Sequence, residues 1–288
     1  MSRRGWLVFL ALGFLWGIPY LMIRVAVRDI DPVVVAWGRC VVGVVLLAPF
    51  AFRPERVRAV LSRWRALLVY AFVEIVIAWW LIGFAETRLT SSTTALLISA
   101  VPLFAALLAT RFGHERLTPI RLVGLGIGFA GVAGTVGLDV DLSDGIAVAA
   151  LLVVALCYAV GALMIGTQLK GLPPLTVIAG SLAVASIAYL PFVVTRWPSG
   201  PVSAASLWSV IGLGVLCTAL AFVLLFELVR LEGPTKSPVI AYINPAVAIV
   251  AGILVLAEPF TLGLAIGFPV IILGAILATT DRRASRAR

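Results

Sequence analysis

Long runs of apolar residues, each separated from the next by a short polar break, fill most of this chain. A run of about 20 apolar residues is long enough to cross the hydrocarbon core of a bilayer as a helix. The pattern therefore predicts an all-α integral membrane protein with ten transmembrane helices, and the longest polar break, Arg53–Arg65, leaves no room for a soluble domain. The predicted spans are Trp6–Ile23, Val33–Phe52, Ala66–Ala85, Ser92–Thr110, Ile120–Gly137, Ile146–Ile165, Leu175–Thr195, Leu207–Val229, Pro238–Ala257 and Thr261–Thr280.

The composition places these runs in lipid. The chain of 288 residues is 62% hydrophobic and 12% charged, with a mean hydropathy of +1.15. A soluble domain carries about 25% charged residues and about 45–50% apolar residues, and no soluble fold of this size could bury so much apolar surface. We therefore expect the lipid bilayer to be a principal partner of the chain.

The formal net charge of +9 is spread over the polar breaks. A nucleic-acid-binding domain would gather its basic residues on one folded face, so we expect no nucleic-acid partner. Of the 22 basic residues, 17 fall on the side shared by both termini, four fall on the other side, and Arg39 lies inside the second span. Cytoplasmic loops carry the excess of basic residues, which predicts cytoplasmic N- and C-termini. The strong preference for arginine over lysine favours a bacterial source and hence the cell inner membrane.

Positional features of the first half of the sequence recur in the second half. Matching prolines, glycines and glutamates are more specific than matching apolar residues, although chance similarity between apolar helices is the alternative. Since each half has five spans, the halves would enter the membrane from opposite sides, so residues 1–141 and 142–288 are predicted to be inverted repeats. At shifts of 142 or 143 residues the matched pairs are Pro32 and Pro174, Pro49 and Pro191, Phe50 and Phe192, Pro102 and Pro245, Glu115 and Glu258, Thr118 and Thr261, Gly124 and Gly267, and Gly131 and Gly274.

Several segments resemble a known family. The stretch PLFAALLATRFGHERLTPIRLVGLGIGFAGV begins at Pro102, and NPAVAIVAGILVLAEPFTLGLAIGFPVIILGA begins at Asn244. With GFLWG at Gly13–Gly17 and the spacing from Pro32 to Arg39, they make the chain similar to the EamA family of the drug/metabolite transporter superfamily. The resemblance covers nearly the whole chain and implies export of a small metabolite, with amino acids prominent among the family's substrates. Ser181 stands where the repeat would place a second Arg39, so only one half supplies this charge.

Two charged residues inside the spans are candidates for function, because charges in hydrocarbon normally face a cavity or a partner. Glu74 lies roughly 13 Å deep at 1.5 Å per residue. At that depth it could take up a proton when dry and release it when hydrated, or bind a substrate amine. Arg39 could bind a carboxylate with its forked guanidinium group. The alternatives are an ion pair between Arg39 and Glu74, or an Arg39 side chain that snorkels to the nearer face.

Aromatic and hydroxyl side chains well inside the spans are candidates for the wall of a binding cavity. Trp16 matches Tyr158 at a shift of 142, and Trp79 matches Phe222 at a shift of 143, so each half would contribute to both pairs. Such a wall suits a solute with one apolar and one polar end, although packing between helices is the more common role of a single buried ring. The candidates of this kind are Trp16, Tyr20, Trp79, Ser99, Tyr158, Thr218, Phe222 and Tyr242.

Two matched prolines, Pro102 and Pro245, are predicted to interrupt the fourth and ninth spans at equivalent positions. A proline inside a helix frees a carbonyl group one turn earlier, and Ser99, Tyr242 or Asn244 could occupy the freed groups. Paired interruptions in the two halves are a sequence indicator of a transporter's binding site. The small-residue spacings Gly124–Gly128 and Gly263–Gly267 predict close helix packing, either within one chain or in a dimer.

Three function classes remain open on the sequence. A secondary transporter that works by alternating access fits the repeat, and neutral or aromatic amino acids fit the sparse charge, with multidrug or other-metabolite transport as the alternative. A membrane enzyme would need a catalytic cluster, yet the one histidine, His114, has no evident partner, and the three cysteines lack metal-ligand spacing. A lipid-handling subunit is the third class. We expect no catalytic residues, no metal and no cofactor; proton coupling is open, as is the choice between monomer and homodimer.

Overall fold

The computed structural model describes residues 2–111, 118–232 and 240–279, and ten apolar helices account for most of them. Nine helices have the length and hydropathy of a membrane span in the described part of the chain, and the tenth is described over Ile240–Leu256. The helices are α1 (Arg3–Ala26), α2 (Pro32–Ala51), α3 (Trp64–Glu86), α4 (Ser91–Ile98 and Val101–Arg111), α5 (Pro119–Asp139), α6 (Gly145–Gly166), α7 (Pro174–Thr195), α8 (Ala204–Glu232), α9 (Ile240–Leu256) and α10 (Leu262–Thr279).

Prolines mark where several helices begin. Pro32, Pro119 and Pro174 each occupy the first helical turn, where the missing N–H would have had no intrahelical partner. Asp31 completes the start of α2, because its carboxylate accepts a hydrogen bond from the Val33 N–H at 2.9 Å. The polar break between α2 and α3 also contains a short helix, Pro54–Leu61, which the apolar pattern did not predict.

The packing of the helices is symmetric under exchange of the two halves. Helices α5 and α10, which are equivalent in the repeat, pack on each other, and so do the equivalent helices α2 and α7. The contact of α1 with α8 is matched by that of α6 with α3, and the contact of α1 with α9 by that of α6 with α4. Because each half crosses the membrane five times, this exchange relates two inverted five-helix repeats, as predicted.

The interface between α5 and α10 is built on small residues. A β-carbon at Gly124 would overlap the backbone of α10, and one at Gly274 would overlap the backbone at Gly128. Gly267 lies equally close to the Thr135 hydroxyl. The predicted small-residue spacings therefore serve contact within one chain, where backbones can approach only if no side chain intervenes.

Acidic side chains near the ends of several helices accept hydrogen bonds from the first turn of an antiparallel neighbour. Asp29, after α1, accepts from the Ser203 N–H and from the Ser206 hydroxyl at the start of α8. Glu232, at the end of α8, accepts from the Ser2 N–H before α1 at 2.8 Å. These contacts satisfy free N–H groups and place negative charge at the positive end of a helix dipole. Hydrogen bonds from Ser203, followed by Ser206, hold the pKa of Asp29 below its ordinary value.

The prediction of paired proline interruptions is correct for α4 and wrong for α9. Helix α4 stops after Ile98 and resumes at Val101, directly before Pro102. Pro245, by contrast, lies inside a continuous helix from Ile240. In the amide orientation that satisfies its partners, the Asn244 side-chain nitrogen donates to the Ile240 carbonyl at 3.0 Å and to the Gly13 carbonyl at 3.2 Å. These bonds hold the first described turn of α9 against α1.

Candidate substrate site between the two halves

Two stretches of π-helix lie at equivalent positions in the repeats. Ala71–Ile77 lies in α3, and Val215–Leu220 lies in α8. π-Helical turns leave backbone groups without their usual partners and are frequent at functional sites. Tyr189 of α7 donates its hydroxyl to the carbonyl groups of Ile75 and Val76, at 3.2 and 2.7 Å. Tyr189 therefore joins the π-segment of α3 to a helix of the other half, and the π-segment of α8 packs on α2 of the first half, so both segments lie where the two halves meet.

Arg39 of α2 lies in this region, between Trp79 of α3 and Thr218 of α8. Its side chain is 8% exposed. Its Nε donates to the Thr218 hydroxyl in the π-segment of α8 at 2.9 Å, and Thr218 in turn donates to the Leu213 carbonyl at 2.9 Å. The guanidinium carbon lies 3.7 Å from the centre of the Trp79 ring, which is a cation–π contact. The sequence is compatible with a buried Arg39 and with an Arg39 that snorkels to a membrane face, and the structure buries it between the helices.

No carboxylate neutralises Arg39 among the described residues. The ion pair with Glu74 that the sequence left open is not formed. A cation held by a hydroxyl group and an aromatic face keeps part of its hydrogen-bonding capacity free. Arg39 can therefore bind the anionic group of a ligand, and the fork of its guanidinium group suits a carboxylate.

Aromatic residues form two repeat-equivalent pairs, and one of them includes Trp79, which packs on Arg39. Trp16 and Phe222 meet edge to face with ring centres 6.0 Å apart, across α1 and α8. The Trp79 side chain reaches Tyr158 across α3 and α6, the equivalent helix pair. Tyr20 and Tyr158 both lie close enough to Arg39 to interact with its charge. The residues matched by sequence thus occupy matched positions, although edge-to-face packing also serves helix association.

Glu74 lies in the π-segment of α3, against α6. A β-carbon at Gly161 would overlap its carboxylate, and Oε2 is buried without a hydrogen-bond partner. Tyr70 and Tyr158 lie near enough to interact with its charge. A carboxylate in this position has no donor to stabilise its negative charge, so its charge depends on whether water or a ligand reaches it.

No described contact joins Ser99, Pro102, Asn244 or Pro245 to Arg39. Ser99 donates its hydroxyl to the Leu96 carbonyl of its own helix at 2.5 Å and, with Pro102, belongs to the interruption of α4. Asn244 and Pro245 lie where α9 packs on α1, since Val247 and Ile243 fill the spaces beside Gly17 and Gly13. The side chain of Tyr242 and the residues His114 and Glu115 lie outside the described residues.

Two buried polar residues, Tyr189 and Glu86, were not predicted from the sequence. Tyr189 gave no signal beyond being an aromatic residue in an apolar run. Glu86 lies one residue beyond the predicted end of the third span, where a charged residue is expected in a loop. In the structure it is fully buried. A polar residue at a span boundary can be assigned to a loop or to the core only when the ends of the helices are known.

An apolar cleft of about 310 Å³ opens beside the site, between α2, α8 and the connection from α7 to α8. Trp37 and Trp197 meet edge to face in its wall, with ring centres 6.2 Å apart. Trp197 is 61% exposed, as expected for a tryptophan at the membrane interface. The cleft therefore reaches toward a membrane face, and Gly38, the neighbour of Arg39 in the chain, also lines it.

Ten membrane helices in two inverted repeats, with a cationic and aromatic cluster where the repeats meet, define the class of this protein as a membrane transporter of the drug/metabolite type. The EamA-like transporter family model matches residues 3–137 and again residues 145–280. The chain belongs to this family.

Relatives of full length agree with that assignment. An uncharacterized transporter of Archaeoglobus fulgidus is 23% identical over 282 residues, which cover 97% of this chain and 100% of the relative. The uncharacterized transporters YoaV and YvbV of Bacillus subtilis are 22% and 24% identical, and the alignments cover 92% and 99% of this chain and 93% and 95% of the relatives. One solved crystal structure aligns over 100% of both chains with a TM-score of 0.69 at 17% identity, which supports the fold alone.

Proposed function

We propose that this protein exports small metabolites, namely neutral or aromatic amino acids, by alternating access across the inner membrane of a bacterium. The observation that carries the proposal is the buried Arg39 guanidinium group, which has no carboxylate partner among the described residues and is bordered by Trp79, Tyr158 and Thr218. A solute with one carboxylate and an apolar side chain would pair its anion with Arg39 and its side chain with the rings.

The small number of central charges supports a singly charged solute over a multiply charged one. Each unpaired ionic contact in a dry site would cost several kcal/mol, and Arg39 and Glu74 are the two charged side chains this centre offers among the described residues. A nucleotide sugar or a polyvalent cation would need more. The family and the names of the relatives favour transport over catalysis. Direction of transport rests on the resemblance to exporters.

Two features support a proposed mechanism of alternating access. The contacts of the two halves are symmetric, so one arrangement could open the site to one face and the exchanged arrangement to the other. The π-segments in α3 and α8 lie beside the cluster and are local departures from regular helix at which bending is inexpensive. Glu74 is the proposed residue for proton coupling, because it lies in one of these segments.

Proteoliposomes loaded with labelled phenylalanine, leucine or glutamate provide the test. We expect saturable flux of the first two, and roughly fivefold to thirtyfold less flux for Arg39→Gln and Trp79→Ala, since each removes a contact worth about 1–2 kcal/mol. Trp16→Ala should reduce flux by opening the second aromatic pair. Trp208→Ala is the matched control, because this tryptophan is 69% exposed on the lipid-facing surface. Flux of a nucleotide sugar or polyvalent cation, with none for any amino acid, would contradict the proposal.

A further inference from the structure

The first segment of α4, Ser91–Ile98, is buried on every side. All eight of its residues are buried, including Ser91, Ser92, Thr93 and Thr94. It packs against the second part of α1 and against α3, α6, α9 and α10. Enclosure by five other helices leaves no side of this segment open to water. We call Ser91–Ile98 the plug segment, and we call the face reached by its first residue the plug face.

Glu258, between α9 and α10, holds the start of the plug segment. Its Oε1 accepts from the N–H and hydroxyl of Ser91 at 2.8 and 2.9 Å. Its Oε2 accepts from the N–H and hydroxyl of Ser92 at 3.1 and 2.6 Å. A β-carbon at Gly252 would overlap this group. Both oxygens of Glu258 therefore accept hydrogen bonds at a helix N-terminus.

Glu86, at the end of α3 on the same face, has no such hydrogen bonds to its carboxylate among the described residues. It is fully buried, and neither of its carboxylate oxygens has a hydrogen-bond partner. Arg24 of α1 lies beside it, but the Arg24 guanidinium donates to the backbone carbonyl of Glu86 and not to its carboxylate. The Thr94 hydroxyl, in the plug segment, is also buried without a partner.

The charged groups around Glu86 act on a negative charge there in opposite directions. Arg24 is attracted to it, whereas the Glu258 carboxylate repels it. Tyr20 of α1 interacts with Glu86 and with Arg39 of α2. On the side of α6, Asp144 lies 3.9 Å from Arg88 and is engaged there. An ionised carboxylate buried without a donor costs several kcal/mol, so the observed packing favours the neutral form of Glu86.

We propose that Glu86 is a proton-binding site that controls closure of the plug face: proton uptake permits the plug segment to pack as observed, and proton release on hydration opens this face, where the freed carboxylate can pair with Arg24. Its consequence for solute movement rests on the proposed transport function. The linkage between proton and closure does not, because it concerns the protein alone. If closure takes up one proton, the ratio of open to closed forms changes by up to about tenfold per pH unit.

Cysteine accessibility tests this linkage without a substrate. Thr94→Cys places a thiol in the plug segment, on a background in which the buried Cys40, Cys157 and Cys217 are replaced by alanine. Thr87→Cys, at an exposed position on the same face, gives the intrinsic pH dependence of the labelling reaction. We expect the labelling rate at position 94, divided by the rate at position 87, to rise between pH 5.5 and pH 8.5. Glu86→Gln, which is neutral at every pH, should abolish that rise and keep the ratio low.

Further variants separate the proton from other causes. Glu86→Asp retains a titratable group and should retain the rise. Arg24→Gln removes the cation that favours ionisation and should move the midpoint to higher pH, a result that does not require the Gln variant at position 86 to fold. Glu227→Gln, whose carboxylate pairs with Arg4 and Arg230 elsewhere, is the matched control and should keep the wild-type profile.

Two results would overturn the proposal. One is a Glu86→Gln variant with the wild-type pH profile. The other is a labelling ratio that follows sodium, when sodium is exchanged for choline at fixed pH, and not the pH, which would assign the site to a metal cation. If amino acids show no flux but the pH linkage and its loss in Glu86→Gln are observed, the transport proposal fails while this one stands.

Discussion

At the scale of single residues, Arg39 and Glu74 differ in how the protein accommodates a charge inside the membrane. Arg39 has an aromatic face and a hydroxyl acceptor, which stabilise a permanent cation without neutralising it. Glu74 has one buried oxygen without a partner and lies tightly against Gly161. The first arrangement suits the anion-binding role proposed for Arg39, and the second leaves a buried acid group without a donor among the described residues.

Glu74→Gln tests the second arrangement. The substitution keeps the volume that packs against Gly161, so expression and melting temperature should change little. We expect the flux of amino acids to change in rate or to lose part of its pH dependence, because glutamine cannot exchange a proton. Flux measured from pH 5.5 to pH 8.5 in proteoliposomes gives the answer. A Glu74→Gln profile that superposes on the wild-type profile would remove Glu74 from any coupling role.

At the scale of helices, polar side chains form hydrogen bonds with the backbone at places where its regular hydrogen-bond pattern is broken. The Tyr189 hydroxyl group donates to a carbonyl group in the π-segment of α3, and the Thr218 hydroxyl group donates to the Leu213 carbonyl within α8. Asp29 accepts from the N–H of Ser203 at the start of α8. Backbone groups without a partner in hydrocarbon are costly, so each break is accompanied by a side chain that satisfies it. These contacts fix where the helices may bend.

Tyr189→Phe should destabilise the junction of α7 with α3. It leaves the carbonyl groups of Ile75 and Val76 without the hydroxyl donor, at a cost of about 1–3 kcal/mol, which should appear as a lower melting temperature in detergent. Ser186→Ala is the control on the same helix, because its hydroxyl donates to a carbonyl of α7 itself. Equal melting temperatures for Tyr189→Phe and the wild type would show that the hydroxyl is dispensable.

Asp29→Asn should weaken the junction of α1 with α8 in a pH-dependent manner. The folded-state pKa of Asp29 is lowered, so its contribution to stability is present above its unfolded pKa and is lost as the pH falls through its folded pKa. The melting temperature of the variant should therefore lie below that of the wild type at pH 7, and the two should converge in acid. Asp141→Asn, at an exposed position on the same face, is the control. A difference that does not depend on pH would contradict the role assigned to the charge.

At the scale of the whole molecule, inversion of the two repeats explains why one set of contacts recurs with exchanged partners. The symmetric pairs α5 with α10 and α2 with α7 lie on the axis, and the pairs of α1 with α8 and α6 with α3 lie on either side of it. The asymmetric features, including Arg39 opposite Ser181 in the repeat, break this symmetry at the site. In the proposed site, binding would therefore depend on residues that one half alone supplies.

The orientation in the membrane is predicted from the distribution of basic residues, with both termini in the cytoplasm. Cysteines introduced at Ser2 and at Asp141 should show opposite accessibility to a membrane-impermeant reagent added to intact cells, with position 141 labelled from outside. Labelling after permeabilisation controls for reactivity. Equal labelling of both positions from outside would contradict the predicted orientation.

Much of the architecture could be predicted from the sequence. Apolar runs of membrane length, positional matches between the halves and the count of five spans per half are properties of the chain that do not depend on which helices touch. The correspondence of Trp16 with Tyr158 and of Trp79 with Phe222 followed from the same alignment. Helix ends were less certain, because the residues at a membrane boundary are compatible with helix and loop alike, and this uncertainty hid Glu86.

The tertiary structure alone decided which predicted residues share a site. The sequence could place Arg39 and Glu74 at similar depth, but only the rotation and packing of α2, α3 and α8 directed Arg39 toward Trp79 and Thr218 and away from Glu74. The sequence could also predict an interruption at Pro102 and at Pro245, yet the hydrogen bonds of Asn244 with Ile240 and with Gly13 of α1 accompany an unbroken α9. Depth in a membrane follows from position along the chain, whereas direction and partnership follow from contacts between helices distant in sequence.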